Sequence, residues 1–207
     1  MTSRPRTWAA VAVLCVLSAS APRPVFTAQP ELTRAEAESM GRKLDAIIER
    51  GTAPQPAPAK PVSTSFSERE VNAFFKFMGP LFMPTGVNDT QLTIGNDGHV
   101  RSRAIVNLDA IRKAQPRGWL DPLAWVSGSM ELKASGRVLG TNGKGVFQFE
   151  SAYLAGVPVS KAVLQELVTF YTRSPELPKG FNLDEPFDLP SNIRSVQTKV
   201  GSATVVQ

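Results

Sequence analysis

Gln91-Leu92-Thr93-Ile94-Gly95-Asn96-Asp97-Gly98-His99-Val100-Arg101-Ser102-Arg103-Ala104-Ile105-Val106-Asn107-Leu108 reads as two strands joined by a tight turn. Asp97-Gly98 is a residue pair that accepts the positive φ angles hairpin turns require, and the flanking runs are rich in β-branched residues. In the second run Val100, Ala104, Val106 and Leu108 fall on one face by period two, while His99, Arg101, Arg103 and Asn107 fall on the other. One face is therefore core and the other is wet, as in an antiparallel sheet covered on one side only.

The same grammar continues outward. Strand-like runs at 129–139 and 145–154 flank Gly140-Thr141-Asn142-Gly143, and runs at 193–200 and 203–207 flank Gly201-Ser202. Between the first two hairpins, residues 109–127 carry Ile111, Trp119, Leu120, Leu123 and Trp125 around Pro116, Gly118 and Pro122, which suits a loop with one or two short helical turns. Upstream, Ser67 and Glu70 form a capping box, with Phe66 and Val71 placed as a hydrophobic staple, so a helix is expected over 67–78. Gly79-Pro80 ends it. Ser160 is a suitable N-cap for a second helix through Val163, Leu164, Leu167, Val168 and Tyr171, which ends before Pro175. No helix is placed to cross between parallel neighbours. The expected fold class is α+β: a curved antiparallel sheet of hairpins packed on two helices, preceded by a tethered N-terminal helix.

That N-terminal helix is read over 29–51. Thr33 and Glu36 make its capping box, and Ala37, Met40, Leu44, Ile47 and Ile48 recur at helical spacing up to Gly51. Residues 52–65 follow as a Pro-rich linker, with Pro54, Pro56, Pro58 and Pro61 excluding helix and inner strand, so the helix is set apart in the chain; its apolar stripe is explained more simply by docking on the main domain than by pairing with another chain or lying on a membrane surface. The α+β domain is then 66–207. Ahead of everything, Arg4 and Arg6 precede an uncharged run from Trp8 to Leu17 and the small residues Ser18-Ala19-Ser20-Ala21. This is the layout of a signal peptide over 1–20, with a later cut at 28 as the alternative, and it implies an exported protein, periplasmic or secreted. Leu14 before Cys15 is too large for a lipoprotein acceptor site.

Composition narrows the chemistry. The 207 residues carry a formal charge of +5, one histidine and one cysteine. Loss of Arg4, Arg6 and Cys15 with the signal lowers that charge by two, to +3, and leaves no thiol for disulfides or thiolate catalysis. With neither a Lys/Arg cluster nor a basic stripe, nucleic acid is not an expected partner. His99 alone supplies no histidine pair for zinc, and no Gly-x-Ser-x-Gly elbow, P-loop or calcium loop occurs. Asp184, Glu185 and Asp188 are the one acidic group that could pair as acid and base, and a solvated loop explains them more simply. The chain is expected to be non-enzymatic, without cofactor, catalytic residue or metal site.

What stands out is apolar. Phe74, Phe75, Phe77 and Met78 crowd the helix at 67–78, Phe82 follows it, and Phe181 and Phe187 lie in a proline-bounded loop. Phenylalanine and methionine adapt to irregular chains, so these seven residues are the expected lining of an apolar groove, with Arg101 and Arg103 placed to meet an acidic headgroup. Phe66-Ser67-Glu68-Arg69-Glu70-Val71-Asn72-Ala73-Phe74-Phe75 also resembles the opening helix of bacterial exported proteins related to tubular lipid-binding domains. Gly156-Val157-Pro158-Val159-Ser160 and Leu189-Pro190-Ser191-Asn192-Ile193-Arg194-Ser195-Val196 are similar to later parts of that pattern. The resemblance spans about 66–207 and implies a sheet curled around helices to leave a groove for lipid chains; it assigns no ligand residue.

The expected function is an exported domain binding a lipid or other apolar molecule between helix and sheet. The alternative is a cell-envelope structural or interaction protein with a packed core, using helix 33–50 to hold a partner. Contact with a membrane surface is compatible with both.

Overall fold

The computed structural model describes residues 30–54, 60–83, 85–114, 127–171, 173 and 178–207. The expected signal peptide, the linker residues Pro56 and Pro58, and Trp119 and Trp125 lie outside the described residues.

The expected helix starts are formed by the residues that predict them. The Thr33 side chain accepts from the Glu36 N–H while the Glu36 side chain accepts from the Thr33 N–H, opening α1 (Arg34–Thr52). Ser67 and Glu70 do the same for α2 (Glu68–Met78). Gly79-Pro80 does not stop the chain turning: a 3-10 turn (Gly79–Leu81) continues from α2, since Pro at the second position of a helical turn forfeits no intrahelical donor.

The sheet is antiparallel with nine strands, and the fold is α+β. Strands β2 (Val87–Ile94) and β3 (His99–Asn107) are the hairpin predicted at 91–108, turning through Asp97 at φ 53° and Gly98 at φ 80°. Leu108 is not the last strand residue; it is buried and begins α3 (Leu108–Ala114), whose first free N–H group, on Ala110, is taken by the Asn107 side chain. The 13-residue β4 (Ser129–Thr141) spans the sheet. One of its edges carries β5 (Lys144–Leu154), with two-residue strands β6 (Val157–Pro158) and β7 (Phe187–Asp188) beyond. Its other edge carries β3 up to Arg137 and then β8 (Ser195–Lys199) at Gly140. Next to β8 come β9 (Ser202–Val206) and β1 (Ser63–Ser67). Helix α4 (Lys161–Tyr171) lies between β6 and β7 in the chain.

The expected N-terminal helix is α1, and the short helical turn expected within 109–127 is α3, so the described residues hold four α-helices with α2 and α4. One boundary needs correction. Residues 63–65 are strand rather than linker: β1 pairs with β9 from Ser63 opposite Val206 to Ser67 opposite Ser202. Helix α1 is docked on the domain, the simplest use of its apolar stripe. Met40 shares a buried cluster with Val71, Ile94 and Ala203, with Leu44, Phe66, Phe74 and Phe75 packed around it. The Glu70 carboxylate receives Lys43 Nζ at 2.7 Å and Ser39 Oγ at 2.6 Å, and Arg69 Nε donates to Glu36 at 2.7 Å. A helix of this length buries its apolar stripe where a partner lies within reach, and α2 is that partner.

Candidate functional site

Helix α2 runs along the free edge of β2, and its polar residues answer that edge. Glu68 Oε2 accepts from the Ile94 N–H at 2.7 Å. One helical turn on, Asn72 accepts from the Leu92 N–H at 2.7 Å and donates to the Leu92 carbonyl at 2.8 Å. Four residues of helix rise about 6 Å and two residues of strand about 6.7 Å, so the two ladders keep step in opposite directions. The next rung brings Lys76 to the level of Thr90.

At that rung the edge stops being covered. The β2–β3 register shifts between Asn88 and Gln91, and Asp89 takes φ 49° in the resulting bulge, a geometry common where a strand is re-aimed beside a site. Between the bulge and the end of α2 lies a cleft of about 450 Å³. Phe75, Pro80, Met83 and Val87 give it apolar walls, and Lys76 and Arg103 bring cationic side chains to it. Thr90 also lines it, and its hydroxyl is buried beside the cleft with no hydrogen-bond partner among the described residues. Buried hydroxyls are almost always partnered, so an orphan beside a cleft marks a place where something else can donate or accept.

The structure divides the expected lining. Phe75 is in the cleft, and so is Arg103. Phe74 packs into the cluster around Met40 and stacks on Phe82, ring centroids 5.5 Å apart. Phe77 is half-buried beneath the cations of Arg34 and Lys76, at 5.1 and 5.3 Å from its ring centre. Met78 is half-buried at the end of α2 and outside the cleft's lining. Phe181 and Phe187 belong elsewhere: their rings meet edge to face at 5.1 Å, Phe187 lies over Gly145 of β5, and Gln165 of α4 bonds the Phe181 carbonyl and the Leu183 N–H. They pack a loop against α4 and β5 and are not lining for this cleft. Leu81 and Phe82, beside the cleft's Pro80 and Met83, are 77% and 69% exposed.

Arg103 and Arg101 differ in their partners. Arg103 is paired with Glu131, which also takes Lys133 at 2.6 Å; these two cations hold the Glu131 carboxyl below its ordinary range, Lys133 contributing most. Arg101 is exposed and makes no such pair among the described residues.

The candidate acid–base residues are dispersed. Asp184 pairs with Lys161, Asp188 with Lys144, and Glu185 accepts from Asn182. His99 Nε2 lies 2.9 Å from Glu150. No group of three His, Cys, Asp or Glu able to hold a metal occurs among the described residues, and no helix among them is long and apolar enough to cross a membrane. A larger cavity, about 570 Å³, lies where Arg50, Asp188, Asn192, Arg194 and Gln207 converge. There the Gln207 side chain accepts from Arg50 and donates to the Ile47 and Ser191 carbonyls, while Asp188 accepts from Lys144. Those bonds join the chain's own elements and leave less for a ligand to satisfy than the cleft does.

Sequence reasoning missed Asn72, Thr90 and the bulge at Asp89. Asn72 had a signal, a polar residue within a run of phenylalanines. Thr90 had none, because its orphaned hydroxyl results from a register shift. No protein-family model matches the chain, and neither does a curated protein or a solved structure.

Proposed function

We propose that the chain is a non-enzymatic, exported binding domain that takes an amphipathic, lipid-like molecule in the cleft between α2 and β2. The apolar portion would lie on Phe75, Pro80, Met83 and Val87, and its polar end would reach Thr90, Lys76 and Arg103. A cleft of about 450 Å³ is within the range of small-molecule sites, which run from roughly 300 to 1,000 Å³. The observation that carries this reading is the buried, unpartnered Thr90 hydroxyl. In a merely packed core, valine there would fit as well and would desolvate nothing.

Alternative use of helix 33–50 to capture a partner is less well supported, because Ala37, Met40 and Ile47 are already buried against the rest of the domain. The exposed Leu81 and Phe82 are better placed to pass an apolar molecule to the neighbouring cleft.

The test pairs ligand occupancy with stability. Native mass spectrometry of protein purified without detergent, then loaded with a saturated single-chain fatty acid, should show a one-to-one complex. Thr90→Val should bind at least about fivefold more weakly while folding as stably as the parent or up to about 1 kcal/mol better. A bare mass after loading, or equal occupancy in parent and variant, would overturn the proposal.

A further inference from the structure

The uncovered sheet face carries a second arrangement, independent of the cleft's contents. Cross-strand register sets three rows there. Gln91, Arg103, Lys133 and Tyr153 stand in one, Thr93, Arg101, Ser135 and Ser151 in the next, and His99 with Arg137 in the third. Residues opposite each other in adjacent strands stand on the same face, about 4.5–5.5 Å apart.

The outer rows neutralise themselves in part. Glu131 receives Arg103 and Lys133; Glu150 faces His99 at 2.9 Å and Arg137 at 3.5 Å. The middle row contains no carboxylate. Arg101 stands in it between hydroxyls, Thr93 on one side and Ser135 on the other, and Ser135 Oγ lies 2.9 Å from Ser151 Oγ. Two hydroxyls bonded to each other use one hydrogen between them and keep one to donate outward. Shallow depressions lie on both sides of this row, and Arg101 and Thr93 line both. Four permanent cations, Arg101, Arg103, Lys133 and Arg137, face two carboxylates on these strands, with Asp97 at the rim of one depression. The surplus charge centres on Arg101, the one arginine of these strands that makes no ion pair among the described residues.

We propose that Arg101, with the hydroxyls of Thr93 and Ser135 on either side of it and Ser151 bonded to Ser135, forms a binding site for a tetrahedral oxyanion of the phosphate-ester type. A guanidinium presents a planar fork of donors, and hydroxyls on either side add donors from other directions, which suits a group with three terminal oxygens better than a planar carboxylate. The phosphate could belong to a soluble ester or to a phospholipid headgroup.

Amide and arginine side-chain NMR of the full chain, titrated with inorganic phosphate, tests the site directly. Shifts should concentrate at Thr93, Arg101, Ser135 and Ser151, and Arg101→Gln should weaken them at least about tenfold. Arg42→Gln, an equal loss of charge on an exposed position of α1, should change the affinity less than about twofold. Co-sedimentation with vesicles of phosphatidylglycerol in phosphatidylcholine separates the sources: Arg101-dependent capture by these vesicles assigns the headgroup, and phosphate binding without capture assigns a soluble ester. Absence of shifts in this row, or equal losses in the two variants, would overturn the proposal whatever the cleft binds. The mapped shifts in the parent protein decide the matter even if Arg101→Gln folds poorly.

Discussion

Asn72 shows how much one side chain can determine. Its amide bonds both the N–H and the carbonyl of Leu92, so it satisfies two backbone groups of an edge strand that has no neighbouring strand on that side among the described residues. Asn72→Ala leaves both groups part-buried without partners, and urea denaturation should show a loss of about 2 kcal/mol. Asn72→Asp keeps the acceptor and loses the donor, so it should fall between. A loss below about 0.5 kcal/mol for the alanine variant would mean that water replaces the amide at no cost. At this scale the sequence was readable wherever the partner is local: Thr33 with Glu36 and Ser67 with Glu70 bond three residues apart, as their spacing requires. Asn72 reaches 20 residues along the chain, and spacing carries no such information.

Among elements, the same division separates α1 from β1. Helix α1 was legible from its cap, and its apolar stripe favours docking, but the surface it docks on was not legible, because the Pro-rich stretch after it predicts reach rather than a particular contact. At the end of α1, Gly51 is a point of close approach. There a Cβ would overlap the Ser191 backbone, and the Gly51 carbonyl accepts from Asn192 Nδ2 at 2.8 Å. Gly51→Ala must push the last turn of α1 off the 191–192 loop, outweighing the helix propensity that alanine adds. We expect a net loss of about 1–2 kcal/mol, with amide exchange accelerated first in residues 47–53. Alanine at Gly41, where nothing lies within 4 Å of the added carbon, should instead stabilise by up to about 1 kcal/mol. Strand β1 escaped notice for a related reason: five residues of weak alternation become a strand only because β9 pairs with them. The expected lining divides at the level of elements too. Counting phenylalanines cannot say that those of α2 and those of the 181–187 loop face different neighbours.

Across the whole molecule, the contacts holding α1 make its docking sensitive to acid. Arg69 and the Thr33 N–H hold the Glu36 carboxyl down at about 2 from an ordinary 4.5. Burial pushes Glu70 up, but Lys43, Ser39 and the Ser67 N–H outweigh it and bring this carboxyl to about 2 as well. Both pKa values are lower in the folded state than in the unfolded one. The folded state therefore binds fewer protons, and the stability these groups contribute is complete above pH about 4.5 and is lost as pH falls towards 2. Both carboxylates bridge α1 to α2, so amide exchange in α1 should rise through that window before exchange in β3 and β4 does. Glu70→Gln removes one of the two titrations. After allowance for partial exposure, it should cost about 1–2 kcal/mol at pH 6 and much less at pH 2, giving a shallower acid profile than the parent. If α1 and the central strands lose protection together at every pH, the helix is not a separately released element. If Glu70→Gln keeps the parent's full slope, Glu70 is not one of the groups that sets it.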